Sequence, residues 1–323
     1  MERISLSEFE NASKHFDESV ESMSGVDHFC SASDWILPAT ESLMPPRKSW
    51  VFREGLSYWA FMRGQHPEGF YYIEALEAMW ALACPVVGLD DKRLVAGVEE
   101  LCSQPTEDWK IMVISGLPSE HPVFTGIVQK LASTLRLGLG QSTVRLIVDL
   151  SGGFDAFLSR RSRQFRRSLA RAQRKASAAE ITIVDASTEV ADKLYQRIVA
   201  VEKRGWKGLE AVGIDDGPMH EFYKKMLPRL SARGAERVLF ARHEGRYIGY
   251  ILGGIRKNSY RGLQFSFDAD YKQYGLGNLL QAEQIARLCD EGVASYDLGT
   301  HMDYKTRWAD HENETLTLLL MRD

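Results

Sequence analysis

The chain has 323 residues, of which 44% are hydrophobic and 26% charged, with 26 glycines, 10 prolines and a formal net charge of −4. That length allows about two domains with buried cores, and the ordinary composition excludes a disordered, collagenous or disulfide-built chain. The slightly acidic balance confines any polyanion contact to a local patch.

No apolar run approaches the roughly 18 residues of a membrane helix, so no membrane span is expected. Met1 to Glu10 lacks a basic stretch leading into an apolar one, which points to the cytoplasm. Cys30, Cys84, Cys102 and Cys289 are far apart, with only His28 near any of them. They read as reduced thiols, and no metal site is expected.

In chain order, Glu8 to Met23 reads as a polar helix. Trp50 to Arg53, Tyr58 to Met62 and Tyr71 to Leu76 are aromatic or β-branched runs separated by Gly55 and by Gly64 to Gly69, which predicts an antiparallel meander. Glu74 to Cys84 could equally be helical. Leu89 to Cys102 suits a helix, Trp109 to Ile114 a buried strand, His121 to Leu135 a helix and Ser142 to Leu150 an alternating strand. Trp35, Trp50, Trp59, Trp80 and Trp109 read as core or groove wall.

After Gly152-Gly153 a similar order returns. Phe154 to Ala179 is a predicted helix and Ile181 to Val184 a strand; Val190 to Arg204 and Met219 to Arg233 are helices. Three successive strands come next, at Arg237 to His243, Tyr247 to Ile255 and Ser259 to Phe267. Asn278 to Glu291 is a helix, and Ala294 to Leu298 and Thr315 to Met321 are strands. The expected architecture is α/β (α+β), in two lobes, residues 1–150 and 151–323, each a mixed, mostly antiparallel sheet flanked by helices.

Two segments stand out chemically. In Leu263 to Leu280 a strand runs into a loop bearing Gly275 and Gly277, and an apolar helix begins at once. Such glycines let several N–H groups aim at one point at the positive end of a helix dipole, which suits a pyrophosphate. The helix Phe154 to Ala179 carries Arg160, Arg163, Arg167, Arg171 and Arg174 near one face and Leu158, Phe165, Leu169, Ala172 and Ala176 on another. No acidic residue lies between Asp155 and Glu180. That face is either a solvated surface or a seat for phosphates or a transfer RNA.

Lys272-Gln-Tyr-Gly-Leu-Gly after a meander resembles the Gln/Arg-x-x-Gly-x-Gly/Ala loop of GNAT acetyltransferases, with Lys272 in the first position. Taken in order with the arginine-rich helix, Glu202-Lys-Arg-Gly-Trp-Lys-Gly, Asp297-Leu-Gly-Thr and Tyr304-Lys-Thr-Arg-Trp, it resembles the CelD/BioF-like acyltransferases, relatives of the FemAB peptidyltransferases. That family has two GNAT-like lobes. The resemblance covers Phe154 to Asp323 well and the first half by strand order. It departs from the family at Tyr274-Gly275, where Pro-Gly is usual, and at Thr300 to Met302.

The resemblance implies an N-acyltransferase moving an acyl group, acetyl or longer, from coenzyme A to a primary amine. The donor would sit on Ser266, Phe267, Lys272, Gln273, Tyr274, Gly275, Leu276, Gly277 and Asn278, with the pyrophosphate on the amides of 273–278. Amide formation needs a base, an oxyanion donor and an acid for the leaving thiolate. Tyr304 is the expected acid or positioning group, Lys305 the oxyanion partner, and His301, Asp268 or Glu202 the base. Trp206, Lys207, Asp297 and Arg167 are expected on the substrate side.

A small amine, amino sugar or peptide would bind between the lobes, and an acyl carrier protein could replace the coenzyme. Nucleic acid enters only under the alternative, a FemAB-like transfer from aminoacyl transfer RNA. The absence of a sustained heptad run argues against the coiled-coil arm such enzymes carry. A non-catalytic acyl-CoA-binding protein is the remaining reading.

Overall fold

The computed structural model describes residues 1–104, 108–205 and 213–322. The chain divides into two compact units. The first comprises Met1–Thr143 and Glu314 to the end, and the second Val144–Asn313. The expected border at residue 150 therefore moves. The strand Thr143–Asp149 goes with the second unit because it pairs with Ser295–Thr300. The last strand, from Glu314 onward, joins the first unit because it pairs with Ile111–Leu117 and Arg136–Leu139.

In the first unit β1 (Glu2–Ile4), β2 (Lys48–Glu54), β3 (Ser57–Gln65) and β4 (Tyr71–Ala75) form the antiparallel meander; the two-residue β5 (Val86–Val87) adds to β3, and β6 (Ile111–Leu117) runs parallel to β4. The last strand (His311–Met321) lies against β6 and β7 (Arg136–Leu139). The predicted helix at 8–23 is two, α1 (Leu6–Asn11) and α2 (Ser13–Ser22). Ser5 and Glu8 cap α1 reciprocally, and the turn at Ala12 lets Phe9 meet Phe16 edge to face at 4.8 Å. Helix α3 (Ser33–Ser42) carries no apolar periodicity that would have announced it.

Helices α4 (Asp91–Ser103) and α5 (Pro122–Leu131) fall where the apolar spacing predicts. Gly97 in α4 sits so close to Trp59 that a Cβ there would fall 2.0 Å from the indole. That contact draws the helix onto β3, and Trp59 Nε1 donates to Leu94 O at 3.0 Å. Trp50, Trp59 and Trp109 are fully enclosed.

In the second unit the sheet order is β8 (Thr143–Asp149), β13 (Ser295–Thr300), β12 (Ser259–Phe267), β11 (Arg246–Arg256), β10 (Glu236–His243), β9 (Thr182–Asp185). Only the β12–β13 pair is parallel. The predicted helix at 154–179 is also two, α6 (Gly153–Ser159) and α7 (Arg163–Ala178). Ser162 restarts the helix by accepting the Phe165 N–H. Arg160 bonds to Asp310, and the buried Arg161 bonds to Asp310 and to Ala309 O. Arg160 is thus a structural residue rather than a member of the basic face.

Helices α8 (Ala191–Glu202), α9 (Gly217–Ala232) and α10 (Leu276–Asp290) complete the unit, with the short α11 (Asp303–Thr306). Its core joins Phe157, Leu169, Ile248, Ile251, Leu280 and Trp308. Each such side chain contributes about 1.5–3 kcal/mol when buried.

Candidate functional site

Strands β12 and β13 pair only over Ser259–Arg261 and Ser295–Asp297. Beyond that point both continue unpaired with each other, and the gap becomes a cavity of about 600 Å³. Its wall includes Ile251, Leu252, Leu263, Phe265, Phe267, Leu298, Met302 and Tyr304, with Gln264, Gln281 and Lys305 as its polar members. The β11–β12 register shifts here: Gly253 faces Gly262 and Leu252 faces Gln264, leaving Leu263 without a counterpart. Such a bulge unpairs one residue and turns the strand. Phe265 and Phe267 are wall residues, partly buried and packed against the core.

The loop after β12 is a 3₁₀ turn (Ala269–Tyr274) ending at Gly275 in the left-handed region, φ 69°, from which α10 starts. Asn278 N and Leu279 N both donate to Gly275 O. The N–H groups of Leu276 and Gly277 have no acceptor among the described residues, as the first amides of a helix do not. A Cβ at Gly277 would lie 3.2 Å from Phe265 and 3.5 Å from Phe267, so this helix end adjoins the cavity wall.

On the other side a second cavity, about 300 Å³, is lined by Ser162, Gln164, Ser168, Asn278, Arg307 and Trp308 among others. Arg307 donates to Asn278 Oδ1 at 2.7 Å, and Lys175 to Gln273 O at 3.4 Å. Gln164, Ser168, Arg171 and Lys175 succeed one another at helical spacing. One edge of the basic α7 therefore runs beside the loop, with Arg163, Arg167, Arg171 and Arg174 all exposed.

The buried carboxylates separate by their partners. Asp268 is 2% exposed and bonds to Arg204 Nε and Arg246 Nη2, each at 2.9 Å. Asp297 bonds to Arg145 at 2.5 Å, sits 2.9 Å from Arg261 Nη1, and accepts the Gly299 N–H at 2.7 Å. Each is held by two guanidinium groups, so its oxygens are already taken up by structural partners. Asp268 therefore does not fit the expected base, nor Asp297 a substrate contact.

Glu202 is fully buried at the end of α8; Tyr250 donates to its Oε2 at 2.9 Å, and its Oε1 has no partner among the described residues. Burial, and then the Glu202 charge, hold the Tyr250 hydroxyl well above its ordinary range, so it stays protonated and donates. Tyr250 faces Ser266 across the sheet, two pairs from Leu252 and Gln264 in the cavity wall.

Tyr304 lines the cavity mouth with its ring 6.1 Å from Phe265, and burial pushes its hydroxyl up. Lys305 Nζ also lines the cavity and donates to Thr300 O at 3.0 Å. His301 is exposed and outside the described cavity wall; its backbone N–H donates to Val144 O. Ser266 is buried, its Oγ without a partner among the described residues, and Leu276 lies in the core. Lys272 and Gln273 are exposed on the turn with Tyr274 beside Tyr271. Trp206 and Lys207 lie outside the described residues. Sequence reasoning missed Gln281 and the bulge at Leu263, which have no motif of their own, and did not single out Arg307 within the Tyr304-Lys-Thr-Arg-Trp motif.

Residues 163–306 match the family model described as an acetyltransferase (GNAT) domain. This segment is a GNAT acyltransferase domain. Around it the whole chain has a GNAT/FemAB-like fold: FemX superposes with a TM-score of 0.66 at 12% identity over 98% of this chain and 97% of its own. The C-terminal domain of a putative lysylphosphatidylglycerol synthetase from Agrobacterium fabrum gives 0.60 at 11% over 97% and 93%. L-PGS from Bacillus licheniformis gives 0.57 at 10% over 97% and 91%. No curated protein matches by sequence. Among the described residues, no helix of this acyltransferase is long and apolar enough to cross a membrane, and no His, Cys, Asp and Glu group is arranged for a metal.

Proposed function

We propose that the protein transfers an acyl group from a coenzyme A thioester to a primary amine by direct attack in a ternary complex, as a CelD/BioF-like acyltransferase. The observation that carries this reading is the parting of β12 and β13 into an apolar cavity beside a helix N-terminus whose first amides are unbonded. A pantetheine arm fits the cavity and a pyrophosphate fits the amides. Arg171, Lys175 and Arg307 supply the surrounding positive charge. Small amines, amino sugars and peptides are the acceptor class. An acyl carrier protein, if it is the donor, would present the same arm.

The amine nitrogen attacks the thioester carbon, the C–N bond forms and the C–S bond breaks. Glu202, with Tyr250, takes the amine proton; Tyr304, kept protonated, returns a proton to the thiolate. The bulged backbone at Leu263 and the Lys305 ammonium are the groups suited to the oxyanion.

Calorimetric titration of the full chain with acetyl-coenzyme A and free coenzyme A tests the donor. Micromolar binding that is lost when Gly275 and Gly277 are both changed to Val supports the reading; no heat in either protein overturns it. The basic α7 face and the FemX-like fold favour one second reading, aminoacyl transfer from transfer RNA. A filter-binding assay with charged transfer RNA separates the two.

A further inference from the structure

We infer that the acyl group this site accepts is an apolar chain several carbons longer than acetyl. The inference rests on the thioester-donor reading and deepens it.

Three observations carry it. The cavity holds about 600 Å³, the volume of roughly 20 liquid waters, which leaves room beside the pantetheine arm for more than an acetyl group. Its wall is mainly aliphatic and aromatic, and the apolar character continues onto the rim. Met302 and Tyr304 are 50% and 42% exposed although they are large hydrophobic side chains. Exposed apolar groups ringing an apolar chamber mark a place where apolar ligand surface is covered.

The third observation is Gln281. It is 5% exposed, lines the cavity from α10, and its buried Nε2 has no partner among the described residues. Leaving a buried amide unbonded is unfavourable, and a carbonyl entering with the ligand would satisfy it. An acyl thioester brings such a carbonyl at the head of its chain. The site thus combines one hydrogen-bond donor for the polar head with apolar wall for the tail, the pattern expected of a fatty acyl group rather than a sugar or a peptide.

The test is a calorimetric series on the full-length protein with free coenzyme A and its acetyl, butyryl, hexanoyl and octanoyl thioesters. Affinity is expected to rise at least tenfold from acetyl to octanoyl, since each buried methylene adds favourable transfer energy. Leu298→Trp, which narrows the chamber, should abolish that rise. Met302→Ser, at an exposed position that folding does not depend on, should reduce the rise. Gln281→Met should weaken every thioester by about tenfold without changing the order of the series.

Equal affinity for acetyl and octanoyl thioesters would overturn the inference while leaving the donor reading intact. Failure of free coenzyme A and every thioester to bind would overturn both. An octanoyl preference that survives both Leu298→Trp and Met302→Ser would also overturn it, because the chain would then lie elsewhere.

Discussion

Strand β4 of the first unit and strand β12 of the second play the same part in their sheets, each antiparallel to one neighbour and parallel to the next. The loops that leave the two strands are built differently. After β4 the loop folds onto its own carboxylate: Glu77, fully buried, accepts the Trp80 N–H at 2.7 Å and the Ala83 N–H at 3.4 Å. After β12 the first amides of α10 have no internal acceptor, and the strand beside them has parted from its neighbour. A loop whose amides donate to its own carboxyl group does not offer those donors to a ligand. The binding device is therefore the open helix end and not the sheet.

The comparison can be broken most sharply at the open loop. Gly275→Val with Gly277→Val should cut coenzyme A affinity by at least 100-fold, about 2.7 kcal/mol, measured by calorimetric titration. The first change forces a branched residue to φ 69° and the second presses on Phe265. Unchanged affinity would mean the phosphates do not use this helix end.

At the closed loop, Glu77→Ala should cost about 2–3 kcal/mol of stability by urea unfolding, because it strands two enclosed amides. Burial raises the Glu77 pKa, with the backbone N–H groups opposing. Its charged form is thus the costly one: stability should decline as pH rises from about 4 through the raised folded value, then level off. Glu77→Gln should flatten that stretch of the stability–pH curve.

Asp310 gives the opposite sign. Burial would raise its pKa, but the Arg160 bond, the Asp149 N–H and the Arg161 charge bring it below the ordinary value. The stability it contributes is present above about pH 4 and is lost as pH falls through the lowered folded value. Asp310→Asn should lower stability by up to about 1 kcal/mol near neutrality, because solvent screens these ion pairs; the change is read as a reduced thermal midpoint and should remove that acid-side loss.

The smallest effect belongs to the rim of the open loop. Arg171→Ala and Lys175→Ala should each weaken coenzyme A binding by about three- to tenfold, with a reduced dependence on salt. Their exposure keeps each contribution modest.

The sequence on its own determined most of the element order, though not β1, α3, β5 or β7, together with the turn glycines and the amphipathic helices, because those depend on local period, backbone freedom and caps. It located the Gly275 loop and the basic helix by the same local means. It also put Tyr304 and Lys305 among the site candidates, and both line the cavity.

Tertiary structure alone decided which carboxylates are neutralised. Asp268, Asp297 and Glu202 look alike in a sequence, but the arginines that bind the first two come from positions 22 to 152 residues away. It decided too that Arg160 and Arg161 turn onto Asp310, and that the last strand returns to the first unit. The Leu263 bulge and the unbonded Gln281 amide also arise only when strands and helices from distant segments meet. Pairing, register and charge compensation are long-range relations, and no local pattern of residues encodes them singly.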